Sequence, residues 1–180
     1  MSNFQNLKLV LFDVDGVLTN GDIYINENGE AFKQFNVKDG IAISLLKAHG
    51  IMTGVVSGKE SLSLKKRCDQ LGFDVVYTGC SNKIEALKLI SKKYSLTYEE
   101  IAFVGDDIID MLVLRSVGFS FSPSDAHPSI KNCVDHLMNL PGGRGVAREI
   151  ADYILLNRGL NLEQAYKPLL DQWNNLDVVQ

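Results

Sequence analysis

Leu9-Val10-Leu11-Phe12-Asp13-Val14-Asp15-Gly16 decides the fold. Four consecutive apolar residues predict a strand buried on both faces, since a half-exposed strand alternates apolar with polar. The strand stops at two aspartates two positions apart. Carboxylates that close repel each other and invite a cation, although loops are rich in Asp and Gly and the pair alone decides little.

Outward from this strand the pattern repeats. Met52-Thr53-Gly54-Val55-Val56 ends at Ser57, and Val75-Val76-Tyr77 follows. Ile101-Ala102-Phe103-Val104 ends at Gly105-Asp106, and Phe119-Ser120-Phe121 is a short fifth strand. Amphipathic helical patterns fill residues 39–48, 60–71, 83–94 and 108–116; in the first, Ile41, Leu45 and Ala48 share a face and Gly50 follows as a stop. The alternation predicts an α/β fold, a doubly wound Rossmann-like parallel sheet with helices on both faces. Such sheets carry their sites beyond the carboxyl ends of the strands. Residues 22–35 break the alternation and predict an inserted β-hairpin, with Asn28-Gly29 at its turn and apolar side chains at Ile23, Ile25, Phe32 and Phe35. Beyond Pro141, Gly142-Gly143-Arg144-Gly145 leads into a helix near 146–156. The tail, 161–180, is a candidate further helix with mobile last residues.

The 180 residues fit one domain, 1–180, with one core. Hydrophobic residues make up 46% and charged residues 22%, as in an ordinary soluble globular protein. A net charge of −4 argues against a general nucleic-acid binder, and the densest basic cluster, Lys65-Lys66-Arg67, reads as a solvated helix face. Met1-Ser2-Asn3-Phe4-Gln5-Asn6 lacks the look of a secretory leader, and residues 7–12 are too few to span a bilayer, so a cytoplasmic protein with no membrane partner is expected. Cys68, Cys80 and Cys133 are scattered and odd in number, which suggests a reducing compartment and no zinc site. His49, His127 and His136 have no metal-binding spacing.

The chemistry gathers where strands end. Asp13 and Asp15 follow the first, and Asp106, Asp107 and Asp110 follow the fourth. N-capping explains one or two acids at a helix start; it does not explain five converging on one sheet edge. Oxygen ligands without His or Cys point to Mg²⁺, which takes only one or two protein carboxylates, so not all five are expected to ligate directly. Ser57 and Gly58 sit where a hydroxyl and free N–H groups receive phosphate oxygens, or where Ser simply caps a helix. Lys83 opens the third helix against the local dipole, so it either has an anionic partner or points to solvent.

The order DxDG, Ser, Lys, GDD resembles the haloacid dehalogenase superfamily, in its phosphatase branch. The resemblance spans nearly the whole chain through DVDGVLT, FNVKDG, SNK, VGDDIIDMLVL, SDAHP and GGRGVARE. It implies a capless domain and a homotetramer in which hairpins meet and neighbouring subunits help enclose each site. It implies Asp13 as nucleophile, Asp15 as general acid and base, and Ser57, Gly58 and Lys83 on the phosphate. Mg²⁺ would be held by Asp13 and Asp106 side chains and the Asp15 carbonyl, with Asp107 supporting the shell and Asp110 ordering the loop. Asn36, Val37, Lys38, Asp39, Gly40, Lys59 and Arg67 would line the sugar-acid side. The implied substrate is a phosphorylated eight-carbon keto-deoxy sugar acid of lipopolysaccharide precursor synthesis. The chain has Lys59 where relatives of that kind usually have Arg, which forfeits bidentate carboxylate binding, and Ser44 where they tend to be basic. A nine-carbon sugar-acid 9-phosphate is the alternative substrate, and a non-catalytic interaction or regulatory module the alternative class. A receiver domain shares the parts but not their order, since its phosphorylated Asp follows the third strand and its Lys comes last.

Overall fold

The computed structural model describes residues 4–177. β1 (Leu9–Phe12) is central in a six-stranded parallel sheet with β4 (Met52–Val56), β5 (Val75–Tyr77), β6 (Ile101–Val104), β7 (Phe119–Ser122) and β8 (His136–Leu137). The spatial order is β5-β4-β1-β6-β7-β8. β2 (Tyr24–Asn26) and β3 (Gly29–Phe32) form a separate antiparallel hairpin. The helices are α1 (Val37–Ala48), α2 (Leu62–Leu71), α3 (Lys83–Tyr94), α4 (Met111–Leu114), α5 (Pro128–Lys131), α6 (Val146–Asn157) and α7 (Leu162–Asp177). This is the predicted doubly wound sheet with an inserted hairpin.

The pleat of β1 divides the core. Val10 and Phe12 face a layer built from Ala42, Ile43, Leu45 and Leu46 of α1, Leu64 and Cys68 of α2, and Ile150 and Ile154 of α6. Leu9 and Leu11 face the opposite layer, with Ala86, Leu87 and Ile90 of α3 and Val113 and Leu114 of α4. Right-handed crossovers account for the split, because connections running one way along the sheet lie on one face and those running back lie on the other. In α1 the fully buried stripe is broader than the Ile41, Leu45, Ala48 face. Ile41 and Ala48 are only partly buried, whereas Ala42, Ile43, Leu45 and Leu46 pack against the sheet and α6.

Several boundaries differ from expectation. α2 starts at Leu62 because Ser61 Oγ accepts the Leu64 N–H, so Lys59 lies in the loop before it. Residues 108–116 form a 3-10 turn, Ile108–Asp110, and a short α4. At the hairpin tip only Gly29 has positive φ (106°), and Asn26 Oδ1 accepts the Asn28 N–H instead. Phe35 packs on the core rather than sharing the exposure of Ile23, Ile25 and Phe32. β8 and α5 were not anticipated. Residues 1–3, which bear on the leader, and 178–180, the end expected to be mobile, lie outside the described residues. Cys68, Cys80 and Cys133 are free. Among the described residues no helix is long and apolar enough to cross a membrane.

Candidate active site

The carboxyl ends of β1, β4, β5 and β6 surround an open cleft of about 430 Å³ lined by Asp13, Asp15, Ser57, Gly58, Lys59, Lys83, Asp106 and Asp107. Strand geometry brings them together: the Asp13 N–H extends the ladder by donating to the Val104 carbonyl (2.9 Å), and Ser57 N–H donates to Tyr77 (2.8 Å). Cys80, Ser81, Gly21, Ile23 and Ile109 also line the cleft. Local pattern does not single them out, although Cys80 and Ser81 follow a strand end, where such sheets carry their sites.

Lys83 is the electrostatic centre. Its side chain is 3% exposed, and Nζ lies 2.8 Å from Asp13 Oδ1 and 2.6 Å from Asp110 Oδ1. Of the two sequence options for Lys83, the anionic partner is the one found. Burial opposes its charge, but Asp13 and Asp110 outweigh burial and hold its pKa above the ordinary lysine value. Asp110 Oδ2 accepts the N–H groups of Asp106 (3.2 Å) and Asp107 (3.4 Å), tying the loop to the same ion pair. A side chain at Gly105 would overlap Asp110, with a Cβ 2.7 Å from its Cβ and Oδ2. Asp107 itself caps the 3-10 turn through the Ile108 N–H (2.6 Å) and is exposed. The Asp106 carbonyl accepts the His127 N–H (2.8 Å) from the SDAHP loop.

The donor set fits a hard divalent cation. Single carboxylate oxygens of Asp13, Asp106 and Asp110 lie within 4.8 Å of one another. Asp106 Oδ1 is buried with no hydrogen-bond partner, the condition in which an anionic oxygen demands a cation. Burial, then the charges of Asp13 and Asp110, raise the Asp106 carboxyl to about 8. Burial and Asp110 raise Asp13 to about 6 against the opposing pull of Lys83. A bound cation reverses both shifts. Gly16, at φ 90°, keeps the space open, since a Cβ there would lie 2.1 Å from Asp106 Oδ2.

Asp15 stands in the turn Val14–Leu18 just beyond β1. The GGRG segment presses on that turn: Gly143 N–H donates to Val17 (2.8 Å), and a Cβ on Gly142 would lie 1.9 Å from the Gly16 carbonyl oxygen. That contact joins residues far apart in sequence, so spacing alone gave no sign of it.

The remaining candidates lie at the cleft rim or outside it. Lys59 is exposed at the cleft rim, its N–H donating to Ser57 Oγ (3.3 Å). Asn36 caps α1 through the Lys38 N–H (2.9 Å), and Arg67 Nη2 donates to the Asn36 carbonyl (3.2 Å). Asp39 is buried and accepts the Ala147 N–H (3.0 Å) at the start of α6. Asn36, Asp39 and Arg67 line an apolar void of about 10 Å³, at most about one water's worth. Gly40 lets Arg67 approach, its Cβ position being 3.1 Å from Nη2. Val37 and Lys38 are exposed, and Ser44 is half-buried. None of residues 36–40, nor Arg67, lines the acidic cleft of its own chain. The histidines are structural: His49 bonds the Ala165 carbonyl, His127 caps α5, and His136 packs against Phe4, Phe121 and Tyr153.

The fold and site define a hydrolase that handles phosphate with an aspartate cluster. The family model for haloacid dehalogenase-like hydrolase matches residues 30–118. The 3-deoxy-D-manno-octulosonate 8-phosphate phosphatase of Escherichia coli is 39% identical over 159 residues, 88% of this chain and 85% of that protein. The cobalt-bound deoxy-D-mannose-octulosonate 8-phosphate phosphatase of Haemophilus influenzae superposes with a TM-score of 0.86 at 37% identity, covering 91% of this chain and 98% of that one. The Moraxella catarrhalis 3-deoxy-D-manno-octulosonate 8-phosphate phosphatase, in complex with magnesium, phosphate and the sugar acid KDO, gives a TM-score of 0.83 at 31% identity, covering 87% and 90%. The chain belongs to the haloacid dehalogenase-like hydrolase family, and within it to the phosphatases.

Proposed function

We propose that this chain is a Mg²⁺-dependent phosphatase that converts 3-deoxy-D-manno-octulosonate 8-phosphate to the free sugar acid and phosphate, in lipopolysaccharide precursor synthesis. The observation that carries the proposal is the cleft itself: Asp13, Asp15, Ser57, Lys83 and Asp106 line one space in a chain 39% identical to a phosphatase of that substrate. Three free cysteines accord with a cytoplasmic setting.

An Asp13 carboxylate oxygen attacks phosphorus as the bond to the sugar oxygen breaks, and Asp15 gives that oxygen its proton. Water then attacks the aspartyl phosphate, Asp15 takes its proton, and Asp13 is regenerated with release of phosphate. Lys83, Ser57 and the Gly58 N–H hold the phosphoryl oxygens and stabilise their charge. Asp13, Asp106 and the Asp15 carbonyl would hold Mg²⁺, which would supply further neutralisation of that charge. Lys59, at the rim, is the cation for the distant sugar carboxylate. Hydrolysis of the eight-carbon substrate is expected to depend on Mg²⁺ after EDTA treatment. Its kcat/KM should exceed that of a nine-carbon keto-deoxy sugar acid 9-phosphate by at least about tenfold, or about 1.4 kcal/mol. Metal-free turnover, or equal constants, would overturn the metal or substrate assignment respectively.

We further infer a homotetramer in which residues 36–40 and Arg67 complete a neighbour's cleft rather than their own. Ile25 is 73% and Phe32 52% exposed on the hairpin, with Val37 78% and Leu62 82% exposed beside it. An isolated hairpin is marginally stable and its edges invite pairing, and closure around a symmetry axis resolves both. Light scattering is expected to give four times the chain mass at micromolar concentration; a monomer mass there contradicts the assembly.

A further inference from the structure

Lys33 directly follows the hairpin strand β3, whose residues are all exposed, yet its side chain is only 4% exposed. A lysine is seldom buried without partners, and here there are two. Nζ lies 2.5 Å from Asp15 Oδ1 and 3.2 Å from Glu30 Oε2. Glu30 is itself braced, its Oε1 accepting the Ser61 hydroxyl at 2.6 Å. A continuous chain of polar contacts therefore runs from the cap of α2, through the hairpin, to the aspartate beside the nucleophile. Lys33 does not line the cleft, so it reaches the chemistry only through Asp15.

We propose that Lys33 is a positioning residue that fixes the Asp15 carboxyl group, so that one oxygen is held and the other is the one presented to the leaving group. The inference rests on the assignment of Asp15 as the proton donor and acceptor. An ammonium donating to Oδ1 occupies that oxygen, so the proton that moves to or from substrate is carried on Oδ2. Without the lysine the carboxyl group rotates about χ2, a broad two-fold torsion, and neither oxygen is held toward the leaving group. The Glu30–Ser61 contact keeps Lys33 from following substrate or solvent. The hairpin thus takes part in catalysis within one chain, independently of any role in assembly.

The test separates orientation from general damage by the leaving group. A sugar alkoxide must be protonated as it departs, whereas p-nitrophenolate departs without help. In single-turnover experiments Lys33→Met should slow release of the sugar by about 10²-fold, the order expected when a proton-transfer group is misplaced. Release of p-nitrophenol from p-nitrophenyl phosphate should slow by no more than about threefold, since its departure needs no positioned proton. Lys33→Arg, which keeps a cation on the hairpin, should recover most of the sugar rate. Equal losses on both substrates, or no loss on either, overturn the proposal. Asp15→Asn is the control. If it shows the split and Lys33→Met does not, only the role of Lys33 falls; if it leaves sugar release intact, the assignment of Asp15 falls and this inference with it. Melting temperatures and beryllofluoride binding at Asp13 confirm that each variant keeps the site.

Discussion

Asp13→Asn is expected to abolish turnover while leaving the fold intact. An amide is a far poorer nucleophile than a carboxylate, and losing a covalent nucleophile removes the whole two-step route, a loss of at least about 10⁴-fold in kcat. The change is nearly isosteric. Asn Oδ1 still accepts from Lys83, whose ammonium lies 2.8 Å from Asp13 Oδ1. The lost charge is one that burial and Asp110 already disfavour, since they raise the Asp13 carboxyl to about 6. The variant should therefore melt no lower than the unsubstituted protein under metal-free conditions. Steady-state assays on the sugar phosphate, paired with thermal melts, check both halves. A variant keeping a tenth of the activity would exclude Asp13 as the nucleophile.

What the sequence disclosed was what local pattern encodes. The runs at β1 and β6 are apolar throughout because those strands are covered on both faces, and polar residues follow the ends of β1, β4, β5 and β6 at the same edge. That is why Asp13, Ser57, Lys83 and Asp106 were legible and meet in one cleft. The two-residue strand β8 carries too few positions for any periodicity. Asp39 marks where local pattern stops. Beside Asn36 and Lys38 it stands in a polar segment, yet its Oδ1 accepts the Ala147 and Arg148 N–H groups of α6, a pairing set only by how α1 and α6 pack. Lys33 escaped notice for the same reason: its partners are Asp15 and Glu30, and nothing in the hairpin's alternation distinguishes a lysine bent inward from one in solvent. Long-range capping and ion pairing leave no periodic trace, so function carried by them must be read from the fold.

Lys83→Met carries the largest stability effect. Lys83 is buried between Asp13 and Asp110, with Asp110 wholly buried and also holding the loop N–H groups of Asp106 and Asp107. A methionine fills the volume but leaves two carboxylates facing each other, and Asp106 beside them, with no cation. Breaking a buried pair by removing one partner costs about 3–5 kcal/mol. In a domain of this size that is about 10 °C of melting temperature. The sign of the pH dependence follows from linkage. Without Lys83 the Asp13 and Asp106 carboxyl values, already above the ordinary 3.8, rise further, so the folded state binds more protons than the unfolded state and stability falls as pH rises. The deficit should therefore be greatest in metal-free protein near about pH 8 and shrink toward about pH 4. Mg²⁺ should restore part of it, because a ligand of the folded state adds stability by mass action. Thermal melts of both proteins across that range, with EDTA and with excess Mg²⁺, measure each part. A metal-free Lys83→Met protein melting within about 2 °C of the unsubstituted one at the alkaline end, a difference of under about 1 kcal/mol, would show that Lys83 does not hold the aspartate cluster together.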